Sequence, residues 1–166
     1  MDAWLATFTE HPWEPQLVVL LSTAYAMLLG GVVGFERELK DRPAGFRTHM
    51  LVAGAAALLV GMGPLMLAPH AGGQGQVLRI DPLRLVEAVV AGVGFIGAGT
   101  ILGQRRGRQV TGLTTAASLL MVAIIGIAAG LHFYVLAPAA TGLTLLVLFV
   151  LSRFENRFPR HGNDAS

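Results

Sequence analysis

The sequence predicts an all-α polytopic membrane protein, a bundle of five transmembrane helices, and three observations carry that prediction. Hydrophobic residues make up 54% of the 166-residue chain and charged residues only 13%, about half the roughly 25% of a soluble domain and too few to cover a water-facing surface. The charges are also segregated. Gln16–Phe35, Thr48–Pro69 and Ala88–Gln104 carry none, and Gln109–Ser152 is one uncharged run of 44 residues. A crossing takes about 20 apolar residues, so the last run holds two and the total is five. Finally, ten of the twelve Lys and Arg residues fall on alternate connections: Arg37, Lys40, Arg42 and Arg47; then Arg105, Arg106 and Arg108; then Arg153, Arg157 and Arg160. Cytoplasmic loops collect such residues, which puts the amino terminus outside and the carboxyl terminus inside.

The elements follow in order. Residues 1–15 contain Asp2, Glu10 and Glu14 but no Lys or Arg, so they lack the positive region of a cleaved signal peptide and read as a retained periplasmic segment. Five spans are expected at about 16–35, 48–69, 83–102, 113–130 and 133–152, with a cytoplasmic tail at 153–166 and no soluble domain after it. Trp4, Trp13, Phe133 and Tyr134 then sit near the outer interface, where amphipathic rings collect. Pro43-Ala44-Gly45 marks a turn between the first two spans, and the Gly-rich stretch from His70 to Gly75 reads as a flexible outer loop. Asp81-Pro82 reads as the N-cap and first residue of the third helix. Its carboxylate can accept from free amides, and proline has no amide to leave unpaired.

Small residues mark packing faces, because helices in lipid associate by close approach rather than by hydrophobic exclusion. Thr23, Ala26, Gly30 and Gly34 form one stripe on the first span, and Gly126 and Gly130 are spaced for contact on the fourth. The third span holds Gly92, Gly94, Gly97, Gly99 and Gly103. At 100° per residue Gly92, Gly99 and Gly103 lie together, with Gly94 and Gly97 opposite. Two small faces predict a helix packed between neighbours, or else a re-entrant segment lining a pathway. Small stripes beyond the needs of one bundle also predict a homo-oligomer, with a dimer as the expected form. Gly92-Val93-Gly94-Phe95-Ile96-Gly97 matches a dinucleotide-binding pattern only by accident, since no strand precedes it.

Polar residues inside the spans are the functional candidates. Thr111, Thr114, Thr115 and Ser118 share an arc of about 100° on the fourth span, suited to interhelical hydrogen bonds or to lining a polar cavity. Glu87 lies about 9 Å past Asp81 at 1.5 Å per residue. A carboxylate at that depth is expected to face protein, either paired with Arg84 or serving as a site for cations or protons, which makes it a weak metal candidate. The first connection gathers Glu36, Arg37, Glu38, Lys40, Asp41, Arg42 and Arg47. Interleaved charges favour an ion-pair network or lipid contact over a magnesium site. Cysteine is absent, and His11, His49, His70, His132 and His161 are scattered without ligand spacing. No enzymatic activity, no cofactor and no nucleic-acid partner are expected, since the basic residues are explained by topology.

Gly34-Phe35-Glu36-Arg37-Glu38-Leu39 and Pro43-Ala44-Gly45-Phe46-Arg47-Thr48-His49 resemble the signature of the MgtC/SapB membrane-protein family. Asp81-Pro82-x-Arg84, Gly92 to Leu102 and Val110 to Ser118 follow in the same order and spacing, so the resemblance runs from about Gly30 to Gly130. It implies a five-span protein of the bacterial inner membrane associated with survival at low magnesium and, in pathogens, inside macrophages. Some relatives are described as restraining the F-type ATP synthase through its membrane sector; an older view treats the family as magnesium transporters. This chain is similar to short members without a soluble carboxyl-terminal domain. It has Ala88 where relatives often have glutamine and Thr114 where some virulence-associated members have asparagine. The expected role is regulation of another membrane protein, with cation transport as the alternative, and the functional candidates are Glu36, Arg37, Arg47, Thr48, Arg84, Glu87, Thr114, Thr115 and Ser118.

Overall fold

A computed structural model describes residues 13–67, 81–102 and 112–155, the last few of these and Leu67 by backbone alone. Among the described residues the chain forms five α-helices and no strand: α1 (Trp13–Leu39), α2 (Phe46–Leu67), α3 (Pro82–Leu102), α4 (Leu113–Gly130) and α5 (Leu136–Glu155). The first four are long and apolar enough to cross a membrane, while the apolar stretch of α5, Leu136–Val150, is shorter. Helix is the form such segments must take, because hydrocarbon leaves backbone amides and carbonyls no partner outside the helix itself. The expected cap is present: the Leu83 amide donates to Asp81 Oδ1 at 2.9 Å. Gly112 holds the entrance of α4 at φ 93°, a left-handed conformation costly for a residue with a Cβ. A Cβ there would also stand 2.7 Å from the Thr100 carbonyl oxygen.

The core is built on backbone approach. A Cβ on Gly30 would come within 2.6 Å of the His49 carbonyl oxygen, and one on Gly34 within 2.8 Å of Phe46 Cα, so α1 lies directly on α2. From the other side Gly126 meets the backbone of Ala53, and a Cβ on Gly130 would stand 2.6 Å from the Ala57 carbonyl oxygen, so α4 lies on α2 as closely. Ala26, Val33, Ala53, Ala57, Val122, Ile125, Ala129 and Ala137 fill the space among α1, α2, α4 and α5. Leu119, Ala123 and Ile127 of α4 meet Ala56 and Val60 of α2 and Val89 and Val93 of α3.

Two expectations are corrected. The helices held between neighbours are α4 and α2, not α3: 17% of the α3 span is buried against 44% for α2 and 61% for α4. Gly97 alone among its described glycines packs, with Ala116 Cβ 3.3 Å from its virtual Cβ, and nothing stands within 4 Å of Gly92, Gly94 or Gly99. Alanine explains the exchange. The run Ala53 to Ala57 makes α2 as slim as any glycine stripe, so it can accept a helix on each side. The second correction concerns the first connection. Helix α1 continues through Glu36, Arg37 and Glu38 and α2 begins at Phe46, so the loop between them is short and four of the seven expected charges, Arg47 included, are helical. Gly103, Thr111, the loop from His70 to Gly75, Arg105, Arg106, Arg108, Arg157 and Arg160 lie outside the described residues.

Candidate functional site

The end of α1 and the starts of α2 and α4 meet at one end of the bundle, where the buried polar side chains of Arg37, His49, Thr115 and Ser118 gather. Glu36 is the hub of an ion-pair group. Arg37, 2% exposed, donates from Nε to Glu36 Oε2 at 2.5 Å, and Lys40 Nζ stands 2.5 Å from Glu36 Oε1 one helical turn on. Lys40 also reaches the Leu148 carbonyl oxygen of α5 at 3.4 Å and lies 5.9 Å from the Phe149 ring centroid, a cation–π arrangement. This network ties α1 to α5. Glu38 ties α1 to α2 instead: its Oε2 accepts from the Phe46 amide at 2.7 Å, a carboxylate at the positive end of a helix with unpaired amides.

His49 is the centre of the second group. It is fully buried, with Nδ1 2.9 Å from the Gly45 carbonyl oxygen and Nε2 3.0 Å from Ser118 Oγ. A carbonyl only accepts, so Nδ1 carries a proton. In the neutral ring Nε2 then accepts from the Ser118 hydroxyl. In the doubly protonated ring Nε2 donates, and the hydroxyl turns to the Thr115 carbonyl oxygen, 2.8 Å away. Either state leaves every ring nitrogen paired, and either links α2 to α4. At the opposite end Ser22 Oγ stands 3.0 Å from Tyr134 Oη, Tyr134 Oη 2.8 Å from His132 Nδ1, and Tyr25 Oη donates to the Tyr134 carbonyl oxygen at 3.1 Å. This second polar group joins α1 to the α4–α5 turn.

The structure therefore draws Glu36, Arg37, Thr115 and Ser118 into bonded groups at one end and leaves the other candidates out of them. Arg47 and Thr114 are exposed and Thr48 half-buried. Glu87 does not face the bundle interior: the buried face of α3 is Val89, Val93 and Gly97, and Glu87 and Arg84 are exposed on the other side. Among the described residues the ion pairs are Arg37–Glu36 and Lys40–Glu36, and neither Arg84 nor Glu87 takes part in one. His49 escaped the sequence reading, which sought ligand spacing. Its signal was positional, since 49, 53, 56 and 60 follow the i, i+4, i+7, i+11 rhythm of a buried face. Among the described residues no three His, Asp or Glu side chains are placed to hold a metal ion. A groove of about 370 Å³ between α2 and α3 is lined by aliphatic side chains and glycine, including Leu51, Leu59, Val93 and Ile96.

Long apolar helices, buried backbone approach and polar groups spent on holding helix ends together define a multi-pass α-helical membrane protein in contact with the lipid bilayer. The sequence pattern of the MgtC family matches residues 23–157, and the chain belongs to that family. It is 42% identical to the protein SrpB of Synechococcus elongatus over 137 residues, 78% of this chain and 72% of SrpB. It is 37% identical to YhiD of Escherichia coli K12, whose name marks it as a candidate magnesium transporter, over 80% of this chain and 60% of YhiD. It is also 37% identical to MgtC of Salmonella typhimurium LT2, over 83% of this chain and 54% of MgtC. The chain thus spans little more than half the length of the last two. No solved structure matches it.

Proposed function

We propose that this chain is a non-catalytic protein of the bacterial inner membrane that acts in adaptation to low magnesium or related stress by regulating another membrane protein. The observation that carries this reading is the distribution of polar groups. Those inside the bundle are engaged, some in joining helices and Thr23, Thr141 and Thr144 with carbonyls of their own helix, and the groove between α2 and α3 has no polar side chain in its lining. Magnesium dehydrates reluctantly and needs several oxygen ligands or a watered path. Glu87, the one carboxylate offered for such a path, stands on the outer side of α3 with Thr114 exposed elsewhere. What the chain presents outward is helix surface, which suits contact with other helices. The membrane sector of the F-type ATP synthase is the partner the family resemblance suggests. A homo-oligomer, with a dimer as the simplest form, fits the same open surface.

The orientation belongs to this reading: amino terminus periplasmic, carboxyl terminus cytoplasmic. Arg37, Lys40, Arg42, Arg47 and Arg153 share one end of the bundle, which supports placing that end in the cytoplasm. Magnesium transport is the second reading, favoured by the name of YhiD. Magnesium flux into proteoliposomes separates the two. Regulation predicts flux equal to that of protein-free vesicles, and robust flux abolished by Glu87→Gln would reverse the ranking. Co-purification from native membranes then identifies the partner.

A further inference from the structure

Helix α3 shows a second rhythm that the bundle does not use. Arg84, Glu87, Ala91, Gly94, Ala98 and Leu102 follow one another at steps of three and four residues and fall within about 80° of arc. All six are exposed in the chain. The arc is centred about 140° away from Val89, Val93 and Gly97, the residues that α3 buries against its own bundle. This face pairs two unlike charges at its start with three of the smallest side chains and a terminal leucine. The other open face, along Gly92 and Gly99, carries no charge.

We infer that the Arg84–Leu102 face of α3 is where a second copy of this chain docks, α3 against α3, with Arg84 of each copy paired to Glu87 of the other. This rests on the homo-oligomer reading above and names its interface. Glu87 lies five residues, about 7.5 Å, past the first residue of a membrane-spanning helix, and a carboxylate facing lipid there is expensive. Its cost falls if a cation is brought to it. Arg84 is three residues away on the same face, and among the described residues neither charge has an ion-pair partner, so a partner from outside can satisfy both. The copies in one membrane share one orientation, so two α3 helices related by a twofold axis run parallel and present identical faces. Arg84 then stands level with Arg84 of the second copy, and its long side chain can reach Glu87 of that copy about 4.5 Å further along the axis, twice over. Below that ring Ala91, Gly94 and Ala98 let the backbones approach, which is how helices associate in lipid. An unrelated helix would have to supply the same acid and base at the same spacing; a second copy has them by construction.

The chain has no cysteine, so single cysteines report the interface directly. Ala91→Cys, Gly94→Cys and Ala98→Cys, oxidised in native membranes, are expected to give disulfide-linked dimers, with Gly92→Cys and Gly99→Cys giving few. Cross-linking that peaks at Gly92 and Gly99 leaves the oligomer standing and overturns this face. A monomer mass in nanodiscs, with no dimer from any variant, overturns the oligomer itself. The charge pair is tested separately: Glu87→Arg is expected to weaken dimerisation at least about tenfold, and Arg84→Glu with Glu87→Arg together to recover most of it. A double variant no better than the single one overturns the reciprocal pair. Cysteine cross-linking in the wild-type charge background keeps the interface testable if a charge variant fails to insert.

Discussion

Helices α3 and α4 carry similar glycine spacing and have opposite fates. In α4, Gly126 and Gly130 are pressed against the backbone of Ala53 and Ala57; in α3, Gly92, Gly94 and Gly99 have nothing within 4 Å. The difference does not lie in the glycines. It lies in what stands opposite: α2 offers alanines at matching four-residue steps to α4, whereas α3 meets its neighbours through Val89 and Val93, whose bulk keeps backbones apart. A small stripe marks a permitted contact, and the partner decides whether that contact is made.

The sharpest way to break this comparison is Gly130→Leu. No leucine fits where a Cβ alone would stand 2.6 Å from a carbonyl oxygen, so a loss of about 3 kcal/mol or more is expected, read as a collapse of the thermal midpoint in detergent. Removal of the polar link between the same two helices comes next. His49→Ala leaves a cavity and removes the side-chain bond from α2 to Ser118, for about 2–3 kcal/mol by the same assay. Glu38→Ala removes only a cap at the entrance of α2 and is expected to cost about 1 kcal/mol. Gly92→Leu sharpens the comparison from the other side. It falls on open space, so the monomer's stability should move by less than about 0.5 kcal/mol; a loss matching that of Gly130→Leu would mean that α3 is packed on that face after all.

Local signals reached far into this chain. Uncharged runs located the helices because hydrocarbon tolerates nothing else, and Asp81-Pro82 announced its cap because capping needs only neighbouring residues. The Thr115 and Ser118 stripe was legible for the same reason, since an arc on one helix is a matter of spacing. Thr114 lay in that arc too, yet it is exposed while its neighbour Thr115 is buried. The arc was wider than the contact, and its edge depended on where α2 came to rest.

Composition and charge pattern by themselves determined that this chain is helical and built for a membrane, because those properties follow from solvation of each segment in turn. Tertiary structure alone decided that α4 and α2, not α3, are the inner helices, that His49 links α2 to α4, that Lys40 reaches Leu148 on α5, and that Glu87 faces outward. Each of these depends on which of several small or polar faces meets its complement. In lipid no gradient of hydrophobicity ranks such faces, so only the fit between two helices can choose among them.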